Sequence, residues 1–361
     1  MSNILDYLKW RGDIVMDYDG FQIVDNILLS TMCYANLSDI VPDEDSGYCI
    51  TLGEAYERYK RLKRKERDKS TQKKGEIALR AMASVRRFRN ILLSSYVDVI
   101  DDDTKTQFAA VKAHLPDNSY YIAFRGTDDN IVGWREDFEM CFREIGAQNM
   151  ACSYLNRQIK NGKYRIGGHS KGGNLAVYAS MNCKNELKEH ILNVYSNDGP
   201  GICDEMMAKE KYQIIENRII RIMPGFSMVG VLFANAEPDY IVAASGKGMK
   251  QHNPLNWQLD GVNLKTVDSL DEQCREFADV FNSWVKALPV NKREEIVSSF
   301  FDAVESSGKK QIIDFSSIKA ETFEHFFRAV KYSSKESRQA VAMLLKNVTS
   351  DKVKRITKRS N

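Results

Sequence analysis

One seventeen-residue stretch constrains this chain more than any other. The strand-like run Tyr164-Arg165-Ile166-Gly167 leads into Gly168-His169-Ser170-Lys171-Gly172, and Gly173 follows before a helix-forming run from Asn174 to Ser180. A G-x-S-x-G set between a strand and a helix reads as a turn so sharp that the serine takes a strained backbone conformation. Glycine is needed on either side, because a side chain there would collide with the neighbouring strand and helix. The serine oxygen then stands clear of the sheet at a helix N-terminus, where free N–H groups and the dipole favour developing negative charge. Ser170 is the candidate nucleophile, and the Lys171 backbone N–H is the natural first oxyanion donor. The plainer reading is an ordinary tight turn. The adjacent histidine, the Gly-Gly pair and the Ala-rich helix argue against it.

The surrounding pattern is α/β. Residues 1–50 read as a helical lead-in, with VDNILLSTMCYANL apolar at helical spacing. Residues 53–100 look mostly helical, ending in IALRAMASVRRFRNILLSSYV with its apolar stripe. Strand candidates follow at TKTQFAAVKAHL, YYIAFRG, YRIGG, ILNVYS, RIIRIM and YIVAAS, most of them separated by helical or loop segments. That alternation predicts a mostly parallel sheet covered by helices on both faces. From about residue 267 the chain reads as helices alone. The expected division is a helical segment over 1–100 packed on the core, an α/β core over 101–262, and a helical region over 263–361.

Composition bears on setting and partners. At 361 residues and 43% hydrophobic the chain can build a large core. It contains no run of about 18 uncharged apolar residues and no signal-peptide pattern, so neither a membrane span nor secretion is expected. Seven cysteines, an odd number without a CxxC pair, point to reduced thiols in a cytoplasm rather than disulfides or zinc. Neither a P-loop nor a G-x-G-x-x-G fingerprint is present, and no cofactor or metal is expected. The net charge of +3 is unevenly placed. Residues 57–76 hold ten Lys/Arg against four acids, residues 351–361 hold five against one, and the remainder is acidic. The run 57–76 is a candidate for an anionic membrane surface, though a solvated helix face is the simpler reading. Without interleaved aromatics it makes a poor nucleic-acid site.

A second informative segment is YYIAFRGTDDNIVGWREDF. Its strand ends in Arg125-Gly126-Thr127, and the loop after an early strand is where strand–elbow–helix architectures place a second oxyanion donor. Thr127 offers both a backbone N–H and a hydroxyl; the alternative is a turn residue capping a helix. Together F-R-G-T, W-x-x-D and G-H-S-x-G-G resemble the class 3 lipases of the α/β-hydrolase fold. NILDYLKWRGD, NDGPG and QHNPLNWQ are similar to a bacterial lipase-like branch of that fold whose function is unknown. The resemblance spans roughly residues 1–260 and implies Ser170 as nucleophile and Thr127 as oxyanion residue. One departure stands out: typical lipases carry Leu after the nucleophile, and here it is Lys171. Its charge would steer an anionic acyl group or phosphate, unless it points to solvent.

A serine needs a base, and the base an orienting acid, in the chain order Ser, Asp/Glu, His. Three histidines follow Ser170. His190 precedes the strand ILNVYS, at its wrong end, and His325 sits inside the run ETFEHFFRAV. His252 follows YIVAAS in a loop, where this fold carries its base. His169 reads as a packing residue of the elbow. For the acid, class 3 lipases use the strand RIIRIMPGFSMVG, which supplies no carboxylate here. Asp198, directly after ILNVYSN, is chosen, with Asp239 as the fallback; a turn-forming role in D-G-P-G is the alternative for Asp198. The expected activity is hydrolysis of a carboxylic ester, lipid or other acyl, of a small-molecule substrate. A thioesterase or acyltransferase on the same residues, or a non-catalytic scaffold, are the rivals.

Overall fold

The computed structural model describes residues 2–62 and 73–306, apart from 45, 102, 105, 128–130 and 235. Its centre is an eight-stranded sheet whose strands lie side by side in chain order. β1 (Ile50–Thr51), β2 (Leu92–Asp101), β3 (Thr106–His114) and β4 (Ser119–Phe124) form an antiparallel meander. β4, β5 (Lys163–His169), β6 (Ile191–Asn197), β7 (Ile219–Pro224) and β8 (Tyr240–Val242) are all parallel. A small hairpin, β9 (Leu259–Asp260) and β10 (Asn263–Leu264), follows.

That strand order dictates where the helices go. Ahead of β1 lie α1 (Asp6–Arg11), α2 (Met16–Asp19) and α3 (Ile23–Met32). Between β1 and β2 lie α4 (Leu52–Arg61), α5 (Lys73–Ala83) and α6 (Arg86–Arg89). The parallel strands are joined through α7 (Ile131–Glu139), α8 (Gly146–Gln158), α9 (Lys171–Asn182) and α10 (Lys209–Ile215). α11 (Glu272–Ala287) and α12 (Val290–Ser306) come last. Each parallel strand is added on the same side of its predecessor, so right-handed crossovers put every crossover helix on one face. Accordingly Ile122, Phe124, Ile166 and Val194 pack with Tyr154 and Leu155 of α8, Leu175 of α9, Ile215 of α10 and Phe277 of α11. The opposite face presents Tyr121, Ala123, Tyr195 and Ile222, and no crossover is left to cover it. The N-terminal segment does so, through Tyr7, Ile27, Leu28, Leu79 and Met82. Helices cover both faces as expected, but the two covers come from different parts of the chain.

α3 is almost wholly buried, and a capping box closes its N-terminus: Gln22 N–H donates to Asp25 Oδ2 at 2.7 Å. The same carboxylate meets the buried Arg87 guanidinium in two bonds of 2.8 and 2.5 Å, with the Tyr7 hydroxyl donating to it at 3.0 Å. This pair ties α1, α3 and α6 into one layer.

One expectation is corrected. The helical reading of residues 53–100 fails at its end: α5 stops at Ala83, α6 is four residues long, and residues 92–101 are a strand. LLSSYVDVID pairs with β3 along its length, apart from a bulge between Ser94 and Val97, and that ladder outweighs the helical stripe before it. The expected boundary at residue 100 therefore falls inside the sheet. The helices expected over 270–306 are present, while residues 63–72 of the basic run and the last two helical candidates, including His325, lie outside the described residues. Among the described residues no helix is long and apolar enough to cross a membrane.

Candidate active site

Ser170 sits between β5 and α9 with φ 59° and ψ −132°, a conformation few non-glycine residues adopt. The glycines around it are explained by close approach. A Cβ on Gly168 would lie 2.3 Å from the Gly172 carbonyl, and one on Gly172 would lie 2.2 Å from the Phe124 oxygen. The Ser170 N–H donates to the Asn197 carbonyl at 3.0 Å, which places the elbow beside the end of β6.

The next residue is Asp198, also left-handed at φ 49°, with its N–H on the Ile222 carbonyl at 2.7 Å. Its carboxylate is fully buried. Oδ2 lies 2.6 Å from His252 Nδ1, and Oδ1 accepts from the Ser227 hydroxyl and from Gly230 N–H at 3.2 Å. A carboxylate can only accept, so Nδ1 carries the proton and Nε2 of a neutral His252 is left as the acceptor.

His252 ends a short 3-10 turn, Gly248–His252, on a loop that the QHNPLNWQ segment builds. Asn253 caps the following turn through Leu255 N–H, the Asn256 amide donates to the Lys250 carbonyl at 2.7 Å, and the buried Trp257 indole donates to the Gln251 carbonyl at 2.8 Å. The N-terminus reaches the same loop, where Ile4 N–H donates to the Trp257 carbonyl at 3.2 Å. The segments NILDYLKWRGD, NDGPG and QHNPLNWQ thus converge on one place.

Two expectations about the oxyanion side are revised. The Lys171 side chain neither steers a ligand nor reaches solvent. Its ammonium is buried, donating to Glu136 at 2.5 Å and to the Gln107 carbonyl at 2.9 Å. Glu136 also accepts from the N–H groups of Gln107 and Ala147, so both of its oxygens are hydrogen-bonded. The Thr127 hydroxyl lies 2.6 and 2.8 Å from the oxygens of Asp137. Its single proton is directed there, so the hydroxyl is committed to Asp137.

Asp239 is at the far end of β8 from His252, where its carboxylate accepts from Arg221 N–H at 2.7 Å. His190 is likewise remote, at the N-terminal end of β6 with Nδ1 2.9 Å from the Gly162 carbonyl. The residue reading missed Ser227, whose segment it had dismissed for lacking a carboxylate; the segment supplies a hydroxyl to a carboxylate instead. It also missed a buried polar cluster behind the elbow. Asn26 of α3 and Asn197 exchange amide hydrogen bonds of 2.9 and 3.1 Å, Tyr121 donates to Asn26 at 2.7 Å, and the Asn197 amide donates to the Gly168 carbonyl at 3.1 Å. Among the described residues no group of three or more His, Cys, Asp or Glu is placed to hold a metal.

A serine on a strained strand-to-helix turn of a mostly parallel sheet, with an Asp–His pair on later strand ends, has the layout of a lipase-like α/β-hydrolase fold. The chain belongs to the Mbeg1-like family, whose model matches residues 82–302, well over half of its length. No curated protein matches it. Among solved structures it is similar to M37 lipase at 14% identity over 58% of this chain and 70% of that one, with a TM-score of 0.36.

Proposed function

We propose that this protein is a serine hydrolase of carboxylic esters, working through Ser170, His252 and Asp198. The observation that carries the reading is the buried Asp198 carboxylate bonded to His252 Nδ1 beside a serine held at φ 59°. In this reading His252 Nε2 takes the proton of the Ser170 hydroxyl as its oxygen attacks the acyl carbon. The charge that develops on the carbonyl oxygen is received by the backbone N–H groups of Lys171 and Thr127. The imidazolium then protonates the departing alcohol. Water, activated by the same imidazole, hydrolyses the acyl-serine.

The test is a fluorophosphonate probe on the full-length protein, read by intact mass. One adduct on the wild type and none on Ser170→Ala is expected. Absence of an adduct on both would overturn the reading. Matched ester and thioester panels then define the leaving group.

A further inference from the structure

His169 stands next to the proposed nucleophile, and its ring is completely buried. Nε2 lies 2.7 Å from the backbone carbonyl oxygen of His252, and Nδ1 lies 2.9 Å from the hydroxyl of Tyr34, in the segment after α3. The ring also packs on the His252 imidazole, with centroids 4.4 Å apart, and meets Trp257 edge-on at 6.5 Å. A carbonyl can only accept, so the first bond requires the proton on Nε2. Nδ1 is then a bare lone pair, and the Tyr34 hydroxyl is the donor it faces. That hydroxyl is shared with the His169 carbonyl, at 3.2 Å.

Burial holds the His169 pKa well below the ordinary histidine range, and the neighbouring His252 and Lys74 push the same way. The Lys74 ammonium stands 3.6 Å from the centre of the Tyr34 ring. His169 is therefore a neutral ring with one proton, and its partners decide which nitrogen carries it.

The geometry points to His169 as a positioning residue: its Nε2–H pins the His252 peptide, so that the imidazole is held at its backbone end by His169 and at its ring end by Asp198. This rests on His252 being the base. A side chain with two rotatable bonds, fixed at both ends, leaves its free nitrogen one position, which is what a proton transfer of hydrogen-bond length demands. The His252 carbonyl sets the tautomer and the Tyr34 hydroxyl complements it, so the N-terminal layer on the second face reaches the His252 peptide through two hydrogen bonds.

Two substitutions separate this role from mere packing. His169→Phe keeps a ring of similar shape and deletes the donor. His169→Gln loses the ring but sets an amide N–H where Nε2–H was. With a short p-nitrophenyl ester, His169→Gln is expected to keep kcat within about 10-fold of the wild type. His169→Phe is expected to lose about 100-fold with KM little changed. Equal or better activity in His169→Phe would overturn the proposal. Nitrogen-15 NMR of the wild type supplies a readout independent of activity: His169 is expected as the Nε2–H tautomer, and the Nδ1–H tautomer would refute the bond. A wild type that takes no fluorophosphonate would sink the esterase reading, while the tautomer still decides whether His169 holds the His252 peptide.

Discussion

Left-handed backbone at a non-glycine residue costs on the order of 1–3 kcal/mol, and this chain spends it at both Ser170 and Asp198. Each is held there by its own N–H, on the Asn197 and Ile222 carbonyls respectively. Asp198→Asn leaves those backbone bonds intact but turns an amide toward His252 Nδ1, favouring the wrong tautomer. Ester turnover is expected to fall by about 10⁴ with the melting temperature little changed. A variant retaining a tenth of the wild-type rate would move the acid elsewhere. Lys171→Met removes one half of a buried ion pair and leaves Glu136 charged and uncompensated. A loss of about 3–5 kcal/mol in urea unfolding is expected, and a loss below 1 kcal/mol would show the pair to be dispensable. The strained turn at Ser170 was legible in the sequence because such a turn demands glycines at fixed offsets. The meeting of His252 with Asp198 was legible because both follow strands at the same edge of the sheet. The direction of the Lys171 side chain was not. Its partner lies 35 residues away on α7, and nothing in G-H-S-K-G tells a buried lysine from an exposed one.

At the scale of elements, the elbow is a three-way contact among β4, β5 and α9 rather than a local turn. A Cβ on Gly172 would sit 2.2 Å from a backbone oxygen of β4, which cannot swing aside as a side chain does. Gly172→Ala is expected to cost about 3 kcal/mol in chemical denaturation and to abolish fluorophosphonate labelling. Normal labelling would mean that β4 and α9 can separate. The strands β3 to β8 were readable from β-branched and aromatic runs. β2 was not, because the preceding residues carry a helical stripe that runs almost without interruption into LLSSYV. What decides it is pairing with β3, a contact that no window over residues 77–97 contains.

The whole molecule depends on a layer that the α/β pattern alone does not demand. Sequential strand order leaves one sheet face without crossover helices, and the first ninety residues fill it. Deleting residues 1–33 would bare Tyr121, Tyr195 and Ile222, and would strip Asn197 of its partner Asn26. The truncated chain is expected to bind ANS strongly and lose its cooperative thermal transition; a sharp transition would show that the sheet stands alone. That the lead-in was helical could be read from its periodicity. That it served a sheet face could not, since the need arises from strand order. The same arrangement bears on how the chain is made. Asn26 waits for Asn197, 171 residues later, and Ser2 for Leu259, 257 residues later. At about 5–20 residues per second, the first helices leave the ribosome on the order of ten seconds before the surface they cover exists. At this face the cover is made before the sheet: the helices of the N-terminal segment are translated ahead of every parallel strand they bury.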